Sequence, residues 1–279
     1  MATLGVVSQR STSLVMPPDQ DVRKPLSTRA QDRGDLGIGK NMRLCLFGAL
    51  RLSRGSYEVL IPPSAQRLIA LVALRTAPRR VEAAGILWPD IPDARANARL
   101  RTTLWRLGRS GLDVVCAANG QLFVHDDVAV DYRDWMAVAL PIIDQPESVR
   151  EADLGSLRLH GELLPGWYDD WILLERERVR QLQLHVQEAT AEQLLRRGVH
   201  AAALEFALGA LRMEQSRESA HRLVIRVHLA EGNVGEAWRQ FRRCEYILGK
   251  ELGIRPSGQL RALLSQVDTE ARYRDPIAG

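Results

Sequence analysis

Apolar positions recur along the chain with two different periods, which are mixed before residue 131 and helical alone beyond it. Before it, Arg43–Phe47, Ala49–Leu52 and Tyr57–Ile61 alternate in polarity and read as three short strands of a small sheet. Leu68, Ile69, Leu71, Val72 and Leu74 then predict a helix with Ser64 as its N-cap. Val81–Trp88 predicts a second, short helix stopped by Pro89, and its Ala83 and Gly85 predict loose packing. Pro92 and Asp93 open a third helix, in which Leu100, Leu104 and Leu107 make one apolar stripe with Ala96 and Thr103 on its edge. Val114–Ala117 and Leu122–His125 read as a pair of strands, and Asn119-Gly120 between them supplies the positive φ angles of a tight hairpin turn.

Beyond Asp131 the helical period takes over. Asp169–Arg197, Ala201–Met213, Glu218–Glu231, Val234–Leu252 and Ser257–Arg272 are helix candidates, punctuated by Gly198, Gly232, Gly253 and Pro256. Gly198 and Gly232 stand 34 residues apart, and Ala203 and Ala237 keep the offset. That is the period of tetratricopeptide helix pairs, where small residues let helices approach closely. Strands, three helices and a hairpin are the layout of a winged helix-turn-helix. The expected fold is therefore an α+β winged helix-turn-helix at 43–130 followed by an all-α, tetratricopeptide-like domain at 131–273. Residues 1–42 are polar, rich in Pro and Gly, and read as a disordered tail; residues 274–279 read as a short C-terminal tail. Met42 opens the first strand pattern and is a candidate native start.

Charge separates the two halves. The net charge is +4, yet residues 43–130 carry 12 arginines against 7 acidic residues, whereas residues 131–279 carry 20 basic against 23 acidic groups. Between Asp93 and Ser110 there are five arginines and one acid. Arg95, Arg99, Thr102 and Arg106 cluster away from the leucine stripe, with Arg101 on the far flank. A solvated helix face normally mixes both signs, so this one suits a polyanion. The excess of arginine over lysine, 35 to 3, points to a GC-rich genome and is not itself a sign of DNA binding.

Catalytic constellations are missing. Gly34-x4-Gly39-Lys40 approaches a phosphate-binding loop, but Asn41 replaces the magnesium-binding hydroxyl and a strand pattern follows where a helix is needed. The six histidines are scattered, and His221 and His228 lie two helical turns apart, so satisfied histidines are expected rather than metal ligands. Asp169-Asp170 and the Glu175–Arg178 run read as solvated or helix-start charges. The six tryptophans are expected to pack in cores or interfaces. Cys45, Cys116 and Cys244 give neither a zinc spacing nor a disulfide framework, and no run is long and apolar enough for a membrane span. The expectation is a cytoplasmic protein that is not an enzyme, with no cofactor and no metal.

Three passages resemble the SARP family of bacterial transcriptional activators. LWPDIPDARANARLRTTLWRL (Leu87–Leu107) is similar to that family's passage into its recognition helix. GELLPGWYDDWILLERERVR (Gly161–Arg180) is similar to the start of its activation domain, and AEGNVGEAWRQFRRCEYILGKELGIRPSGQLRAL (Ala230–Leu263) to that domain's last helices. The resemblance implies an OmpR-type winged helix and a helical activation domain, over about residues 43–267. It implies a sequence-specific activator that binds direct repeats in double-stranded DNA at promoters and contacts RNA polymerase, with a homodimer assembling on DNA. Carried over by position, the DNA-binding candidates are Arg95, Asn97, Arg99, Arg101, Thr102 and Arg106. Asn97 lies nearer the apolar stripe than the others, and the hairpin tip Ala117–Gln121 is uncharged where such wings often carry an arginine. That tip favours one rival, a helical-repeat scaffold whose winged helix binds protein.

Overall fold

The computed structural model describes residues 42–273 apart from Leu159, and side chains as far as Ser265. The tail and phosphate-loop readings at 1–41 and the tail at 274–279 lie outside the described residues. Met42 is the first residue of β1 and is buried.

Strands β1 (Met42–Cys45), β2 (Arg51–Arg54) and β3 (Tyr57–Val59) form an antiparallel meander. Its fourth strand is β6 (Val128–Val130), parallel to β1 with Leu44 opposite Val130, so the order is β3-β2-β1-β6. Leu44 and Leu52 sit opposite one another and are fully buried in the same core as the buried face of helix α1 (Pro63–Leu74). This helix begins one residue before Ser64: Pro63 occupies its first position, where the fixed φ of proline suits a helix start, so the expected Ser64 cap is not formed.

Helix α2 (Arg80–Leu87) buries Ala83, Ala84 and Leu87 against α3 (Asp93–Arg109). The expected looseness is not found: alanines allow close approach, and Gly85 lies on the open side with nothing near it. The hairpin β4 (Val115–Ala118) and β5 (Gln121–Val124) turns through Asn119 (φ 51°) and Gly120 (φ 76°). Its strands are displaced one residue from those predicted. The tip does not project freely. Arg79 pairs with Gln121, the Arg80 amide donates to the Gly120 carbonyl at 2.9 Å, and Gln121 Nε2 donates to the Ala77 carbonyl at 3.2 Å.

From β6 the chain enters α4 (Asp131–Asp144) without a loop. Two short 3-10 turns and α5 (Leu154–Leu157) lead to α6 (Asp170–Arg196). Then α7 (His200–Met213), α8 (Glu218–Ala230), α9 (Val234–Leu252) and α10 (Gly258–Tyr273) complete the helical half. The 34-residue echo is structural. The Gly198 amide bonds to Leu195 and Val199 to Leu194; at the same offset Gly232 bonds to Leu229 and Asn233 to His228. Both glycines have φ near 75° (75° and 76°), so each closes its helix with the same left-handed cap. Ala203 and Ala237 are both fully buried where the next helix packs back. The fold is a winged helix followed by an α-helical, tetratricopeptide-like half.

One hydrophobic core runs from β1 through α1 and α4 into α6, α7 and α8. Beside it lies a strap of hydrogen bonds. The Gly48 amide donates to the Glu162 carbonyl and the Leu164 amide to Leu46, at 2.8 and 2.9 Å, adding a stretch of backbone to the end of β1. The half-buried Asp131 carboxylate accepts from the Leu46 and Phe47 amides. Burial raises its pKa, and those amide bonds pull the other way. Arg133 donates to the carbonyls of Val72 and Ala73, closing the C-terminal end of α1.

Candidate nucleic-acid interface

Helix α3 carries the candidate residues. Its buried side chains are Ala96, Leu100, Thr103 and Leu107, while Leu104 is only half-buried. Thr103 therefore takes a core position that the leucine pattern assigned to Leu104. The core accepts it because its hydroxyl donates to the Arg99 carbonyl at 3.0 Å. At about 100° per residue, the exchange turns the outward pole of the helix by about 40°.

That rotation rearranges the candidates. Arg95, Arg99, Arg101, Thr102 and Arg106 are all exposed. Arg99, Thr102 and Arg106 lie on the shoulder of α3, lining an open groove with Pro63, Arg67 and Trp88. Arg101, placed by its sequence position on a far flank, stands closer to the outward pole than Arg99 or Arg106 does. Asn97 is half-buried, and its Nδ2 donates to the Asp93 carbonyl at 2.8 Å, so its amide is engaged by its own helix. The Thr102 hydroxyl bonds back to Ala98 at 3.1 Å. None of Arg95, Arg99, Arg101 and Arg106 pairs with a carboxylate among the described residues. An exposed cation without an internal partner keeps its charge available to an external one.

Two neighbours were missed. Trp105, expected to pack, is 59% exposed, and the Arg109 guanidinium lies over its ring at 4.9 Å. The i, i+4 spacing of the two residues was the available signal. The groove also contains Arg67, whose guanidinium binds Asp169 at the start of α6. Asp169 stands at the N-cap of α6, a helix-start charge as expected, and also bridges the two halves. In the Glu175–Arg178 run Glu177 and Arg178 are exposed, while Glu175 and Arg176 are half-buried and engaged in the fold. Tyr132 Oη donates to Glu175 at 3.0 Å and accepts from Arg178 at 3.1 Å, while Arg176 donates to the carbonyls of Leu163 and Trp167 at 2.9 and 2.8 Å.

No group of three or more His, Cys, Asp or Glu among the described residues is placed to hold a metal ion. His221 is buried, contacts the Gln215 carbonyl at 2.8 Å and Gln240 at 2.7 Å, and is a satisfied core histidine whose pKa burial lowers. Burial also pushes the Cys244 thiol up to about 12. Among the described residues, no helix is long and apolar enough to cross a membrane.

Residues 143–267 match the family model of the bacterial transcriptional activator domain. Among solved structures, the chain is similar to Mycobacterium tuberculosis EmbR in complex with a low affinity phosphopeptide, with a TM-score of 0.63 and 19% identity. The match covers 83% of this chain and 66% of that one, so this chain spans just under two thirds of its length. At that identity the likeness carries the fold. A search of curated proteins returned no match.

Proposed function

We propose that this chain, whose residues 143–267 match the family model of the bacterial transcriptional activator domain, is a SARP-type activator that binds double-stranded DNA at promoters through α3. The observation that carries the reading is the set of exposed arginines on one helix, none paired with a carboxylate among the described residues, beside a hairpin wing. In this reading residues 43–130 supply the DNA contacts, and residues 131–273 meet RNA polymerase. Arginines on the shoulder of α3 neutralise phosphates and give affinity. Side chains at its outward pole reach base edges and give specificity. The mechanism is binding in the cytoplasm, with no covalent step.

The joint between the halves gives this reading its mechanical content. Arg67 lines the groove with Arg99 and Arg106 and also holds Asp169, so α6 is tied to the edge of the proposed DNA face. With the strap along β1, this fixes the orientation of the helical half once α3 is docked. Direct-repeat binding then sets two copies head to tail on the duplex.

A genome-wide footprint of the tagged chain, followed by mobility shifts on the recovered fragments, tests the proposal. Specific retardation that weakens steeply between 50 and 200 mM salt is expected, since about 6–10 phosphate contacts would cost about 10³–10⁵ in affinity over that range. Failure to retain any fragment, with no salt-sensitive retention on heparin, would leave the rival scaffold reading. The uncharged, anchored wing tip is what favours that rival.

A further inference from the structure

We infer that Trp105 is a base-reading residue of α3, packing its indole against the 5-methyl group of thymine in the major groove. This rests on the DNA-binding reading above. Measured around the helix, Trp105 lies about 170° from the mean direction of Ala96, Leu100, Thr103 and Leu107, so it marks the outward pole. Ala94, Ala98 and Arg101 share that side, and the two alanines leave the indole as the most protruding apolar group. Of the six tryptophans it alone is exposed; the other five are buried or half-buried. The Arg109 guanidinium lies over the ring at 4.9 Å, which holds the indole in place while the residue stays 59% exposed.

The surroundings choose the occupant. Arg101, Arg106 and Arg109 flank the indole, and Asp93, three turns away, is the only acid on the helix. A large apolar ring inside a cationic field suits a surface that is anionic around an apolar spot. In a duplex the base faces are covered by stacking, so a side chain entering the major groove meets only base edges. The apolar feature among those edges is the thymine methyl group. The indole thus matches an A·T pair, while the neighbouring arginines meet phosphate or guanine.

The test selects the full wild-type chain, Trp105→Ala, Trp105→Phe and Arg99→Ala against a random-sequence duplex library. Winners are then remade with uracil in place of thymine, which deletes only the methyl group. Wild type should recover a site with a fixed A·T pair at which uracil weakens binding about fourfold, the worth of burying one methyl group. Trp105→Ala should lose the preference at that pair and become indifferent to uracil. Its thermal midpoint and its salt slope on random duplex should not change. Trp105→Phe should retain part of the preference. If Trp105→Ala recovers the same site with the same uracil sensitivity, or wild type ignores uracil throughout, the inference is overturned while DNA binding stands. Intact DNA selection with lost transcriptional activation would assign the ring to a protein partner and also overturn it. If wild type and Arg99→Ala bind no duplex at all, the proposed function itself fails.

Discussion

Arginines on α3 and arginines on α6 and α8 have opposite surroundings. On α3, Arg95, Arg99, Arg101 and Arg106 stand exposed without carboxylate partners among the described residues. On α6 and α8, Arg176 meets Glu162, Arg180 meets Glu177 and Glu214, Arg217 meets Glu188, and Arg226 meets Glu192. The residue type is the same, and the partner decides its role. A paired arginine in the helical half holds elements together, and Arg176 does so by reaching past its carboxylate to backbone carbonyls as well. An unpaired arginine on α3 contributes repulsion with its neighbours and gains its partner from outside. The net charges of the two halves therefore understate the contrast, because eight arginines of the helical half are paired with carboxylates inside it.

The sharpest break of this comparison is physical division of the chain at residue 130. Asp131 caps the Leu46 and Phe47 amides, Arg133 closes α1, and Trp135 and Ala139 are buried in the shared core. A fragment of residues 42–130 loses all four. Loss of a buried tryptophan alone costs about 3–5 kcal/mol, a large part of the about 5–15 kcal/mol that holds a domain together. The fragment is expected to show no cooperative thermal transition, while residues 42–144, which keep α4, should recover one. A transition for 42–130 at the midpoint of the full chain would show that the halves fold independently and that the joint is incidental.

Next in size is Arg176→Ala. Its guanidinium bridges Glu162 and the carbonyls of Leu163 and Trp167, within the segment that extends β1. Charge-assisted hydrogen bonds contribute about 1.5–3 kcal/mol each, and water replaces part of that at a partly exposed site. A destabilisation of about 2–4 kcal/mol is expected in urea unfolding, with no change in the salt slope of DNA binding. A stability within about 0.5 kcal/mol of wild type would place Arg176 with ordinary surface charges.

What was legible in the sequence follows a physical line. Elements with a strong local signal were read well: the Asn119-Gly120 turn, the paired caps at Gly198 and Gly232, and the five helices after residue 168 are all found within one or two residues of their expected bounds. Long-range pairings were not legible. β6 is three residues long, and its pairing with β1 spans 86 positions, from Met42 to Val128. The strap from Gly161 to Trp167 has no period of its own and is set by Phe47, Arg176 and Asp131. At the candidate site the arginines were named correctly as exposed groups, but their bearing was off. The leucine stripe points the core face through Leu104, whereas Thr103, its hydroxyl satisfied by the helix, is the buried residue and Leu104 packs only partly against the core. Trp105 escaped for a different reason: a tryptophan is expected to pack, and this one stands exposed.

The smallest effect expected is also the most discriminating. Arg99 has Arg95 one turn before it and Arg106 two turns after it on the same shoulder, with no carboxylate near enough to bridge. Like charges at i, i+4 destabilise a helix by about 0.2–0.5 kcal/mol, and alanine is the better helix former. Arg99→Ala should therefore leave stability unchanged or raise it by a few tenths of a kcal/mol, the reverse of Arg176→Ala. On DNA it should weaken binding roughly tenfold at 0.1 M salt, equally on all sequences, and shrink the salt slope by about one. That is the signature of a phosphate contact and follows from the shoulder position. A loss of about 1–3 kcal/mol confined to one guanine would instead move Arg99 to a base edge. Unchanged mobility shifts for both Arg99→Ala and Arg106→Ala would remove the shoulder of α3 from the interface. A marked loss of stability would show that Arg99 has a partner in the fold, and the contrast between the two sets of arginines would fail at its first member.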